Sequence, residues 1–276
     1  MADLTDASRD GATTLVPCAA ARFAKGVWKD IPEVTAREER VRVVHGSTCR
    51  NLWAWPFDLG DLALGHVLLE CLPRHNRTDG PERLPMAEDA QCHPCGVLAD
   101  TTRVPLRTGT AVQEDPEPGL HVLAVRLGAP IPTAAPPSPL DAEAILRTMK
   151  RFIAEGGHWD ATGSFHKAGL LDAASGDILH VVEDIGRHNC LDRLTGHCAR
   201  NGMDPGGFAL LVTARLTGSL YAKARRAGFG FMVSRSAVTG AALLAAQEEG
   251  VTLAGFCRPG EERLTVFHDG RGLIRR

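Results

Sequence analysis

The residues Val181-Val182-Glu183-Asp184-Ile185-Gly186-Arg187-His188-Asn189-Cys190 gather two carboxylates, a guanidinium, an imidazole and an amide just where an apolar run ends. A strand over 178–182 followed by a helix over 187–200 places this group at a strand-to-helix junction. First-turn amides of such a helix point beyond the strand's carboxyl end, and a guanidinium beside them suits a phosphate or pyrophosphate. Glu183 or Asp184 could accept from ligand hydroxyl or amino groups, or orient Arg187. A capped helix carrying a solvated arginine uses the same residue types, so a single junction decides little.

Other stretches repeat the logic. His166 stands in TGSFHKAG (162–169), Thr213-Ala214-Arg215-Leu216-Thr217 leads from a strand into a helix, and Ser234-Arg235-Ser236 does so again. A sheet of parallel strands would bring these junctions to one edge. Gly255-Phe256-Cys257-Arg258-Pro259-Gly260-Glu261 follows a further strand, and Pro259-Gly260 imposes a turn that exposes backbone amides beside Arg258. Cys92 and Cys95, in Cys92-His93-Pro94-Cys95-Gly96, have the spacing to share a metal, form a redox disulfide, or provide a thiolate that accepts and donates sulfur. No second close pair completes a four-ligand zinc site, and the proline-rich setting is unlike the strand-to-helix junction of a thioredoxin pair.

The elements that must position these groups follow from composition and periodicity. With 276 residues, 44% of them hydrophobic, the chain can bury a sizeable core. Its formal charge of -2, from 31 basic and 33 acidic residues, gives no field favouring nucleic acid or a membrane surface. No apolar run of about 18 residues occurs, and the opening residues are unlike a secretory signal, so the chain reads as cytoplasmic. Its 8 scattered cysteines read as mostly reduced and buried. Residues 1–39 read as a poorly ordered tail. Residues 40–139 read as an N-terminal region: a strand at 40–45, an amphipathic helix over 59–72 with Asp58 as N-cap, the loop bearing the cysteine pair, a strand at 119–128 and a proline-rich linker at 129–139. Residues 140–276 alternate helix and strand: helices at 141–155, 187–200, 217–227 and 236–249, strands at 168–172, 178–182, 208–213, 229–234, 251–256 and 263–268. That alternation predicts a largely parallel α/β sheet covered on both faces.

Taken together, these motifs resemble the formate dehydrogenase accessory sulfurtransferases, the FdhD family. EDIGRHNCLDRLTG (183–196) is similar to the family's E-D-x-G-R-H-x-x-L-D-K, with Arg193 in place of Lys. TGSFHKAGLL looks like T-G-x-x-H-A-A, VTLAGFCRPGE (251–261) like T-L-x-G-F-x-R/K-x-G, and FDLGDLALGHVLLE like the family's D-L-x-x-F-A-L-G helix. The resemblance implies a three-layer α/β/α sandwich like that of cytidine deaminases, with a smaller N-terminal subdomain, formed as a homodimer. It implies a carrier that takes sulfane sulfur from a cysteine desulfurase as a cysteine persulfide and passes it to the molybdenum bis(molybdopterin guanine dinucleotide) of formate dehydrogenase, bound as cargo. Cys95 or Cys92 would carry the sulfur. Phe256, Cys257, Arg258, Pro259, Gly260 and Glu261 would hold the cofactor, with His166, Glu183, Asp184, Gly186, Arg187, His188 and Arg215. Two departures stand out. Ser219 replaces the family's acid between Arg215 and Lys223, and the cysteine pair lies upstream of the 119–128 strand rather than in the interval 129–139. A second reading follows from the latter: a non-catalytic cofactor-binding assembly chaperone that has lost sulfur transfer. A zinc hydrolase is a third, weakened by the lack of H-x-E with P-C-x-x-C.

Overall fold

A computed structural model describes residues 14–72, 120–125 and 131–276; the loop carrying Cys92 and Cys95 lies outside the described residues. The expected tail is corrected at once. Leu15–Ala24 (β1) and Val27–Ala36 (β2) pair antiparallel along their whole length. Lys25 and Gly26 close the ribbon with φ of 51° and 82°, the double left-handed turn that matches strand twist. Small residues such as Ala19, Ala20 and Ala21 blur the alternation along each strand, so the pairing partner, not the local period, reveals the element.

Glu39–His45 (β3) pairs antiparallel with Thr48–Ala54 (β4), an unforeseen strand, and parallel with Leu120–Ala124 (β5). Leu59–His66 (α1) runs into a π-helical turn at Val67–Cys71, where one uninterrupted helix was expected. Asp58 precedes the helix but has φ 45° and makes no side-chain cap, so it does not serve as the N-cap expected of it. Val41, Val43, Leu62, Leu64, Val67 and Leu123 form the core here.

The remaining described residues build a six-stranded sheet with its helices and, apart from it, a short parallel pairing of Leu140–Asp141 with Ile274–Arg275. In chain order come Leu140–Asp141 (β6), Ala142–Ala154 (α2), Trp159–Thr162 (α3), His166–Asp172 (β7), Asp177–Asp184 (β8), Arg187–Arg200 (α4), Ala209–Val212 (β9), Gly218–Ala227 (α5), Phe231–Ser234 (β10), Gly240–Glu249 (α6), Thr252–Arg258 (β11) and Arg263–His268 (β12). The sheet order is β12-β11-β10-β9-β7-β8. Only β9, β10 and β11 are parallel; the other pairs are antiparallel, which corrects the expectation of a largely parallel sheet. The physical reason lies in the connections. β7 to β8 and β11 to β12 are joined by residues 173–176 and 259–262, whereas a parallel crossover needs about a dozen residues or more.

Helices cover both faces. Leu191, Leu194, Leu220 and Tyr221 from α4 and α5 pack with Leu170, Leu210, Met232 and Leu253 of the sheet, and Ala242 and Ala246 of α6 join them. On the other face Ile145, Met149 and Phe152 of α2, whose N-cap Asp141 accepts from the Ala144 amide at 2.6 Å, pack with Leu171, Leu211, Phe231 and Val233. Each such buried Leu or Phe contributes about 1.5–3 kcal/mol relative to an exposed one. α1 crosses α4 through two glycines. A Cβ on Gly65 would collide with the Asp192 carbonyl, and one on Gly196 with that of Asp61. The alternating directions have one consequence for function: the carboxyl ends of β8, β9, β10 and β11 and the amino ends of β7 and β12 share one edge.

Candidate functional site

Along that edge the junctions are stitched together by the backbone. The Arg235 amide donates to Val212 O at 2.9 Å, Leu216 N to Ala237 O at 3.0 Å, and Phe256 N to Ser236 O at 2.8 Å. Ser236 Oγ donates to Thr213 O and Ser234 Oγ to Ala214 O, both at 2.8 Å. The Lys167 amide donates to Thr213 Oγ1 at 2.9 Å, so the start of β7 joins the same row. Arg187, Arg215 and Arg235 stand exposed along it, and none of their side chains makes a hydrogen bond or ion pair to another described residue. Five inter-strand spacings of about 4.8 Å make the row roughly 24 Å long. α4, α5 and α6 begin at this edge, and their amino ends add partial positive charge. The expectation that separate junctions converge holds.

Several residues expected in the site are turned away from it. Asp184 is wholly buried: Oδ2 accepts from Arg193 Nε and Nη2 at 2.8 and 2.6 Å, and Oδ1 from the Gly186 amide and Asn189 Nδ2 at 2.8 and 2.9 Å. With both oxygens used, it cannot bind a ligand; it shapes the turn at Gly186. Arg193 also donates to the carbonyls of Trp55, Phe57 and Asp58, and Asn189 to Trp53 O, so this cluster ties the 53–58 segment to α4. Glu183 likewise faces inward, accepting from the His158 amide at 3.1 Å and lying 3.6 Å from Lys167 Nζ. Lys223 is buried against Asp192 at 2.8 Å and Glu70 at 3.4 Å. Cys257 is buried in the core facing α2, and burial pushes its thiol up to about 12, so it contributes packing rather than a ligand contact.

What remains on the edge is a cationic and imidazole-bearing row. His166 and His188 are half-buried, and burial holds both imidazoles below their usual range, with Arg187 a further cause for each. They are therefore neutral donors and acceptors at pH 7. His188 Nε2 lies 3.3 Å from Ser219 Oγ, itself 3.1 Å from Thr217 Oγ1, linking the starts of α4 and α5. Phe256 has φ 46°, a costly conformation for an aromatic residue, at a break in the β11–β12 register. Its ring lies under Arg263 at 4.3 Å and Arg258 at 5.3 Å. Arg258 pairs with Glu261 at 2.9 Å in the turn that starts at Pro259 and Gly260.

Three of the thiols on the described residues are poorly placed for chemistry. Cys190, Cys198 and Cys257 are buried, and burial raises all three thiols. Cys190 Sγ donates to His166 O at 3.3 Å, backing the edge from within. Sequence reasoning missed the Arg193–Asp184 clamp and the Gly65–Gly196 crossing. The signal for the crossing was present: a mid-helix glycine costs about 1 kcal/mol against alanine and marks close approach.

The fold and edge thus define an α/β protein with exposed arginines and two imidazoles at the strand-end edge of its sheet. The FdhD/NarQ family model matches residues 36–273, and the chain belongs to that family. Among curated relatives, "Sulfur carrier protein FdhD" of Bordetella petrii is 32% identical over 222 residues, covering 78% of this chain and 77% of the relative. The protein of the same name from Chromobacterium violaceum is 32% identical over 268 residues, covering 92% and 94%. A crystal structure described as a formate dehydrogenase accessory protein from Desulfotalea psychrophila is similar with a TM-score of 0.67 at 18% identity, over 95% of this chain and 100% of that one, and so shares the fold.

Proposed function

We propose that the chain is a sulfur carrier serving formate dehydrogenase. A thiolate of Cys92 or Cys95 attacks the terminal sulfur of a cysteine desulfurase persulfide, forming a new S–S bond as the desulfurase thiolate leaves. Attack of the pair's other thiolate on the inner sulfur then forms a Cys92–Cys95 disulfide and releases the outer sulfur as hydrosulfide to molybdenum bis(molybdopterin guanine dinucleotide) held as cargo along the strand-end edge. The observation that carries this reading is the convergence of Arg187, Arg215 and Arg235 on one edge, exposed and with no side-chain partner among the described residues. Arg193, the arginine buried among the described residues, has carboxylate and carbonyl acceptors, whereas three exposed guanidinium groups on one edge are what a polyphosphate needs. Phe256, strained and in contact with the guanidinium groups of Arg258 and Arg263, adds aromatic and cationic surface on which a purine could stack near one end of the row. On this reading the sheet with helices on both faces is the cytidine-deaminase-like sandwich, the protein acts in the cytoplasm, and it works as a homodimer.

Mass spectrometry tests the transfer. After incubation with a desulfurase and cysteine, and alkylation, a peptide carrying residues 92–95 gains one sulfur atom; Cys92→Ala and Cys95→Ala identify which thiol holds it. Guanosine diphosphate, a fragment of the cargo, tests the row: it binds the wild type, and Arg187→Ala and Arg215→Ala each weaken it. The chaperone reading is favoured by the upstream position of the cysteine pair, and it predicts guanosine diphosphate binding with no added sulfur.

A further inference from the structure

Beside His166 and His188, a third imidazole stands at the outer end of the edge. His158 precedes α3, and its ring packs on those of Phe165, which leads into β7, and Trp55, with centroids 5.0 and 4.9 Å away. Its amide and its Nδ1 both meet Oε2 of Glu183, near the carboxyl end of β8, at 3.1 and 3.0 Å. A carboxylate only accepts, so Nδ1 carries the hydrogen and Nε2 is the lone-pair nitrogen of the neutral ring. Nε2 makes no hydrogen bond to a described residue, and the side chain is 25% exposed. Lys167 backs the carboxylate, its Nζ lying 3.6 Å from Oε1 and donating to the carbonyls of Glu155 and Gly156. Gly157 lets the chain pass this close, since a Cβ there would collide with the Glu183 carboxylate. Arg193 lies 5.9 Å from the centroid of the Trp55 ring. The other two imidazoles of the edge have no carboxylate partner among the described residues: His188 meets Ser219, and the His166 ring makes no hydrogen bond.

We propose that His158 carries the proton in the step that releases hydrosulfide, and that Glu183 is the residue that positions it. The proposal rests on the sulfur-carrier reading and adds the groups that move the proton. In that step the bond between inner and outer sulfur breaks as the disulfide forms, so the attacking sulfur is oxidised and the outer sulfur reduced. An attacking thiolate brings no proton, and an outer sulfur that leaves without one departs as doubly charged sulfide. Persulfide anion and thiol go to disulfide and hydrosulfide, so the balanced step passes one proton from the attacking thiol to the departing sulfur. An imidazole with one free nitrogen serves both halves: Nε2 takes the proton as the thiolate forms and returns it to the outer sulfur. Glu183 steadies the imidazolium that exists between the two transfers, and its bond to Nδ1 fixes which nitrogen is left free. The place suits the step, because His158 borders the edge along which the cargo is held on that reading.

The test uses the full chain, loaded with persulfide by a desulfurase and cysteine and then freed of both. Hydrosulfide is followed by bimane trapping and the Cys92–Cys95 disulfide by mass spectrometry. His158→Gly is expected to load as the wild type does and to release its sulfur about a hundredfold more slowly. Free imidazole at tens of millimolar is expected to recover at least tenfold of that loss, which a purely structural role for the ring does not allow. Glu183→Gln still accepts from Nδ1 but lacks the charge, so release is expected to slow about tenfold, and added imidazole to leave it slow. Thermal midpoints and guanosine diphosphate binding show which variants stay folded, and His158→Gln, expected to slow release equally, takes the place of a glycine variant that does not. A wild-type rate in the folded His158 variant, a slowed glycine variant that imidazole leaves unchanged, or a loaded wild type that releases no hydrosulfide overturns the proposal. Each of these leaves the sulfur-carrier reading standing, whereas a wild type that gains no sulfur overturns that reading itself.

Discussion

Asp184 and Arg187 are separated by two residues, yet one is wholly buried against Arg193 and the other lies in solvent. Their substitutions should separate accordingly. Removing one member of a buried ion pair strands the other charge, so Asp184→Ala is expected to lower unfolding free energy by about 3–5 kcal/mol in urea titration. Arg187→Ala should stay within about 0.5 kcal/mol of wild type while weakening guanosine diphosphate binding. Thiol reactivity divides the same way. Cys190, Cys198 and Cys257 should resist iodoacetamide in the native protein at pH 8 and react after denaturation, while exposed Cys49 labels at once. The sequence showed which polar types gather at the β8–α4 junction; it did not show that Glu183 and Asp184 face inward. Alternation along a strand tells which residues share a face, and only the packed neighbours Lys167 and Arg193 say what each carboxylate meets.

At the scale of elements, α1 and α4 touch backbone to backbone at Gly65 and Gly196, and the helices must move apart to admit a methyl group. Gly65→Ala is expected to destabilise by about 1–3 kcal/mol or more, despite alanine's better helix propensity, as read by thermal unfolding. β8 and α4 meet through a second contact, the rings of His180 and His197 stacked at 3.5 Å. Burial, with His197 a further cause, holds the His180 imidazole down to about 4 in the folded chain, against 6.5 when unperturbed. Above pH 6.5 it is neutral folded or unfolded and has no effect; as pH falls from about 6.5 toward 4 the unfolded chain takes up more protons, and stability declines. His180→Leu should flatten that decline in urea midpoints, leaving a residual slope from His166, His188 and His197, which burial also holds low. Helix 187–200 was legible to the residue because its apolar period is clean, and β12 likewise at 263–268. The β1–β2 ribbon was not, because runs of alanine carry no period and the stabilising contacts are across the strands.

For the whole molecule, the proposed binding of a polyphosphate along a row of exposed guanidinium groups predicts sensitivity to ionic strength. Guanosine diphosphate affinity should fall as salt rises from 50 to 500 mM, and less steeply in an Arg187→Ala/Arg215→Ala/Arg235→Ala variant, by isothermal titration. The sequence by itself determined the alternation of helix and strand after residue 140, the family motifs, and the identity of the groups available for chemistry. It could do so because periodicity and residue type are local properties. Only the tertiary structure decided that the outer strands run antiparallel while their polar ends still meet on one edge, that the side chains of three arginines there have no partner among the described residues, and that two acids of the same motif serve the interior. Those outcomes depend on short connections reversing the chain and on which side chains meet across distances of more than a hundred residues, as when Arg193 reaches the 55–58 carbonyls, and no local pattern encodes them.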